Sequence, residues 1–220
     1  MPRSRDWLGP LTGVAFVAVL IAVFALIGDG QDATKKSAQE IVNHYKDNKD
    51  QEFIGGILSG LAGVLFLFFA GWLRKVLREA EGPGGVLSAV AFAGAIVFAV
   101  GGAIGGTLHI VLADTADDIS PVALQAINAI DWDYFIPFAV GMTTLLIASG
   151  LSVIRHGALP KWLGWVALVI GIASYTPAGF FGFLAGIAWV LVVSIMLSMR
   201  MRSAPAAPAA PSAPAAPTTT

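Results

Sequence analysis

His109 is the one ionisable residue inside the long apolar runs of this sequence. Five aspartates follow it: Asp114, Asp117, Asp118, Asp131 and Asp133. An imidazole among carboxylates can relay a proton or ligate a metal. An ionisable group at membrane depth is a functional candidate by default. A metal site needs several positioned ligands, and the other histidines, His44 and His156, fall in different segments. The expectation is therefore an interfacial histidine satisfied by a carbonyl or water, with no metal and no cofactor. The aspartates also have a plain reading, as a face that stays wet and avoids positive charge. There is no Gly-x-Ser-x-Gly, no His-Glu-x-x-His, no phosphate-binding glycine loop followed by lysine, and no cysteine.

The elements that must position these residues follow from composition. The chain has 220 residues, 56% hydrophobic and only 12% charged, where a soluble domain carries about 25% charged residues. Such a chain cannot cover a water-facing surface. A net charge of −1 gives no basic footprint for nucleic acid. An all-α, polytopic bundle in a lipid bilayer remains. Apolar runs of spanning length place six transmembrane helices at about 10–28, 53–73, 86–112, 135–154, 162–176 and 178–197. The last two are divided only by Thr176-Pro177-Ala178-Gly179, a helix stop with a permitted reversal, so the fifth span is short or oblique. The first span is read as a retained anchor: its apolar run exceeds a signal-peptide core, and no Ala-x-Ala site precedes Asp29.

Charge sorts the loops. Arg3, Arg5, Arg74, Lys75, Arg78, Arg155, Lys161, Arg200 and Arg202 fall on one side, and most acids on the other. The positive-inside rule puts both termini, residues 1–9 and the tail 203–220, in the cytoplasm. That tail, of Ala, Pro, Ser and Thr, lacks the residues to bury a core and is expected to be disordered. Two outer segments are long enough to fold as short amphipathic helices on the membrane face or on the bundle. Ser37-x-x-Glu40 is a capping-box spacing, followed by Ala38, Ile41, Val42 and Tyr45 at helical intervals. Ser120-Pro121 starts the other, with Val122, Leu124, Ile127 and Ile130 on one side. Span, outer helix, span and basic turn thus occur twice, a repeat that membrane composition alone can also produce.

Glycines sit at helix-contact spacing: Gly56 and Gly60; Gly101, Gly102, Gly105 and Gly106; Gly182 and Gly186. Lipid gives no hydrophobic reward for helix contact, so close backbone approach supplies dispersion instead. These faces serve packing within one chain; a homo-oligomer, a membrane partner protein or a ligand cavity against the third span are the alternatives.

Three segments carry a resemblance. They are Arg155-His-Gly-Ala-Leu-Pro-Lys-Trp-Leu-Gly-Trp165; the helix from Ser37 to Lys49 with its glycine-rich span ending Trp72-Leu73-Arg74; and Thr176-Pro177-Ala178-Gly179-Phe180. Together they resemble uncharacterised six-span membrane proteins of high-GC Gram-positive bacteria, grouped with domains of unknown function, over about residues 10 to 200. The resemblance implies a helical bundle in a bacterial cytoplasmic membrane and brings no catalytic residues. The leading functional expectation is a non-enzymatic scaffold, accessory or sensing component. A carrier or channel for a small neutral or apolar molecule is the alternative, and an enzyme centred on His109 and the outer aspartates comes third.

Overall fold

The computed structural model describes residues 5–28, 31–176 and 179–203. The expected turn at Asp29-Gly30, the reversal at Pro177-Ala178, Arg3 and the tail from Ala204 lie outside them. A short 3-10 turn, Arg5–Leu8, precedes α1 (Thr12–Ile27), α2 (Ala38–Asp47), α3 (Lys49–Glu81), α4 (Leu87–Thr115), α5 (Pro121–Trp132), α6 (Ile136–His156), α7 (Lys161–Ala173) and α8 (Gly179–Ser203). No strand occurs among the described residues.

Five stretches are long and apolar enough to cross a membrane: Asp6–Ile27, Lys49–Glu81, Leu87–Thr115, Pro121–His156 and Gly179–Ser203. The protein is a multi-helix membrane protein. The fifth expected span, α7, has only 13 residues, about 20 Å of helix against a hydrocarbon core of about 30 Å. Pro160 opens it, and after Ala173 the helix passes into turns through Ser174, Tyr175 and Thr176. It nonetheless runs antiparallel to α6: Gly164 lies against Gly150, Gly171 against Leu146, and the Thr143 hydroxyl donates to the Gly171 carbonyl at 2.9 Å. It thereby returns the chain to the end where α8 begins. By contrast, α3 has 33 residues and extends past its apolar run at both ends.

The long helices and α7 form a ring in the order α1, α3, α4, α6, α7, α8 and back to α1. Ser194 closes it by donating to the Pro10 carbonyl at 2.5 Å. The centre is aromatic. Phe66 stands 4.8 Å from both Phe16 and Phe98, and Phe98 meets Phe138 at 5.5 Å and Phe183 at 5.9 Å, centroid to centroid. One ring from each of five helices thus interlocks, in tilted, stacked and edge arrangements of the kind aromatic pairs prefer.

Three consecutive helix pairs cross at glycine. A Cβ on Gly56 would lie 2.5 Å from the Gly106 carbonyl oxygen, and one on Gly106 would lie 2.6 Å from that of Gly56. Gly150 and Gly164 do the same for α6 and α7, while between α4 and α6 a Cβ on Gly94 would meet the Gly141 carbonyl oxygen at 2.8 Å and one on Gly141 would meet the Phe98 backbone at 2.5 Å. Of the other glycines read as packing faces, Gly101 meets Pro137, Gly105 the Tyr134 ring, Gly182 the Ser174 backbone and Gly186 Met142. Gly102 barely reaches the Ser59 carbonyl at 4.0 Å, and Gly60 has nothing within 4 Å. The two overlapping pairs of α4 therefore divide between α3 on one side and α6 with its entry turn on the other.

The two short helices share one end of the bundle, and they pack on each other there. Ser37 forms the full capping box with Glu40, which starts α2; Ser120 accepts from the Ala123 N–H, which starts α5. Ile41, Val42 and Tyr45 of α2 meet Leu124 of α5 and Leu112 and Ala116 at the end of α4 in a small core of their own. This is the cap end. Arg74, Arg78, Arg155 and Arg200 mark the opposite, arginine end.

Candidate functional site

Beneath the cap lies a buried ionic cluster drawn from four helices. Its centre is Glu52, in the first turn of α3, where a carboxylate is favoured by the helix dipole. Helix α2 ends at Asn48, whose side chain donates to the His44 carbonyl at 2.9 Å, and α3 starts at once. His44, Asn48 and Glu52 are therefore spaced by four along a nearly continuous helical path, so His44 and Glu52 meet. Glu52 is 1% exposed. Its Oε1 lies 3.0 Å from His44 Nε2, and its Oε2 lies 2.7 Å from His109 Nδ1 on α4. The other His109 nitrogen, Nε2, lies 3.6 Å from Asp131 Oδ2 on α5. An imidazole with a carboxylate at each ring nitrogen satisfies both only when each nitrogen carries a proton.

The glycine crossing sets this geometry. Gly56 is one turn after Glu52, and Gly106 is one turn before His109. Their mutual contact brings α3 and α4 close enough for two short side chains to touch. A neutral chain runs alongside: the Tyr45 hydroxyl donates to Asn128 Oδ1 at 2.8 Å, and Asn128 Nδ2 donates to the Gln31 carbonyl at 2.5 Å. Burial pushes the Tyr45 phenol far up, and the nearby Asp131 and Glu52 charges push it further, so it acts as a donor and not as a phenolate.

The sequence-predicted residues separate here. His109 and Asp131 come together in the cluster. Asp114, Asp117, Asp118 and Asp133 are exposed at the rim. Asp117 pairs with Lys46 at 2.8 Å, which holds its carboxyl below the usual range, and Asp114 faces Lys49 at 3.8 Å. One expectation is corrected: His109 is satisfied by a carboxylate, not by a carbonyl or water. His44 does lie in a separate segment, on α2, and from there reaches the same carboxylate. Glu52 escaped notice because it stands one residue before the apolar run at Phe53; its signal was the four-residue spacing to Asn48 and His44. Among the described residues no group of three or more histidine, aspartate or glutamate side chains is arranged to hold a metal ion. The cluster's groups face one another. What it can do chemically is take up, share and release protons.

Comparison with known families bears on the whole bundle. The model of DUF4386, a domain of unknown function, matches residues 11–204. The chain belongs to the DUF4386 family. The match covers all eight α-helices of the described residues and leaves out the Arg5–Leu8 turn, so the cluster and the cap lie inside the DUF4386 domain. No curated protein and no solved structure matches the chain. A DUF4386 description carries no activity, and the chemistry rests on the residues themselves.

Proposed function

We propose that this protein is a non-enzymatic sensing component of a membrane, whose cap responds to the protonation of the cluster. One observation carries the reading: a carboxylate 1% exposed, shared by imidazoles from α2 and α4. The facing groups are His44 from α2, Glu52 from α3, His109 from α4 and Asp131 from α5, with Tyr45 and Asn128 beside them and the Lys46–Asp117 and Lys49–Asp114 pairs at the rim. A protonated His109 balances Glu52 and Asp131, which face its two ring nitrogens at 2.7 and 3.6 Å. Loss of that proton leaves two carboxylates across a neutral ring in a poorly solvated place, where like charges repel more than in water. The cap is held on the acid side and loosened on the alkaline side.

Amide hydrogen exchange in residues 38–47, followed from about pH 5.5 to about pH 8.5 across the ordinary histidine range, tests this. After correction for the intrinsic pH dependence of exchange, protection of α2 falls as pH rises. In His109→Gln it stays flat. Parallel profiles in the two proteins would sink the reading. A carrier is less well served by this fold: the interlocked rings of Phe16, Phe66, Phe98, Phe138 and Phe183 fill the interior that a substrate route would use.

We place the protein in a bacterial cytoplasmic membrane with six crossings, both termini inside and the cap outside. The sorting of arginine and the antiparallel course of α7 support this. With no native cysteine, single introduced thiols report topology cleanly. Asn43→Cys on the cap is expected to react with an impermeant maleimide in intact cells, and Glu79→Cys at the arginine end only after lysis. The reverse pattern overturns the orientation.

A further inference from the structure

A second feature lies far from the cap, on the outward flank of α3 near the arginine end. Leu67, Phe68, Gly71, Trp72 and Lys75 line a shallow groove there. Gly71 makes the hollow: a Cβ at this position would meet no heavy atom within 4 Å. Trp72 forms its end wall and is wedged from behind, since a Cβ on Gly9 would lie 2.0 Å from the indole Nε1. Lys75 Nζ sits 5.1 Å from the centre of the Trp72 ring.

The polar groups at this end of the groove are unspent. The Trp189 indole donates to the Leu163 carbonyl at 3.1 Å, but the Trp72 indole has no acceptor among the described residues. Lys75 and its neighbour Arg74, which lies 5.3 Å over the Phe92 ring, have no carboxylate partner among them either. An apolar trough that ends in an indole and an uncompensated lysine, with a second such cation one residue before it on the helix, matches one molecule in its parts. The trough suits an acyl chain, and the donors and cations suit a phosphate. Basic residues at a membrane surface also attract anionic lipid over neutral lipid.

We propose that the groove binds a single anionic phospholipid, with one acyl chain along Leu67, Phe68 and Gly71 and its phosphate at Trp72 and Lys75. The site is independent of the cluster under the cap. Thermal unfolding of the purified full chain in neutral micelles, with phosphatidylglycerol or phosphatidylcholine added at equal mole fraction, tests it. Phosphatidylglycerol is expected to raise Tm by about 3 °C more than phosphatidylcholine. Gly71→Leu fills the groove without touching the bundle, and Lys75→Gln removes the charge. Both are expected to keep the lipid-free Tm and to lose the excess shift. Equal shifts by the two lipids in the unmodified protein, or an undiminished excess in either variant, would overturn the proposal.

Discussion

Glu52→Leu is expected to lower the stability of the solubilised protein by about 3–5 kcal/mol, more than any other single side-chain change in the cap. The carboxylate is almost wholly buried, with an imidazole on each oxygen. Its removal strands His44 and His109 in a cavity shaped for an anion, and Asp131 keeps only a distant share of one ring. Such a loss comes mostly from the partners left unpaired, not from the worth of the pair itself. Glu52→Gln keeps the shape and costs less, but its amide nitrogen can only donate, so it cannot accept from both rings as the two carboxylate oxygens can. The two explanations separate in a third protein. Replacing Glu52, His44 and His109 together by leucine removes every stranded polar partner except Asp131, and should recover much of the loss. Denaturant titrations at fixed pH measure all three. A Glu52→Leu protein within about 0.5 kcal/mol of the parent, as at an ordinary surface site, would show that the cluster does not hold the cap.

The helices were legible because lipid demands apolar runs, and an apolar run reads directly from sequence. Their ends were less so. The run of α3 stops at charged residues, but Lys49–Glu52 and Arg74–Glu81 are largely good helix formers and the helix continues through them. The opposite holds in α7, where the turn after Ala173 cuts short a run that carries no charge from Trp162 onward. The cap was legible in its parts, since Ser37 with Glu40 and Ser120 with Pro121 are local signals. That α2 and α5 pack on each other was not, because amphipathic periodicity names a buried face and not its partner. The cluster was half legible for the same reason. His109 stood out by being charged where nothing else was. Glu52 looked like one acid among several before a span, and its contact with His109 joins residues 57 apart in the chain. Only the approach of α3 to α4 makes it visible.

That approach supplies the second large effect. Gly106→Val should destabilise the protein by several kcal/mol, on the scale of severe overpacking, and should also abolish the pH dependence of α2 protection. The obstacle to a side chain here is backbone. A Cβ on Gly106 would stand 2.6 Å from the Gly56 carbonyl oxygen and 2.9 Å from Ser59 Cβ, and one on Gly56 would stand 2.5 Å from the Gly106 carbonyl. A flexible side chain could swing aside, but a carbonyl within a helix cannot, so α3 and α4 must part. Parting costs dispersion along the crossing, which in lipid is the main source of helix association. It also draws Glu52 away from His109, since each lies a single turn from its glycine. The two losses have different signatures. Gly56→Ala and Gly106→Ala should show both in milder form. Gly60→Ala, one turn further along α3 with nothing within 4 Å of its Cβ, should be neutral or slightly stabilising, because alanine is the better helix former. If Gly60→Ala proved as damaging as Gly106→Ala, the glycine faces would be serving a contact outside this chain, and the crossing of α3 with α4 would not be what poises the cluster.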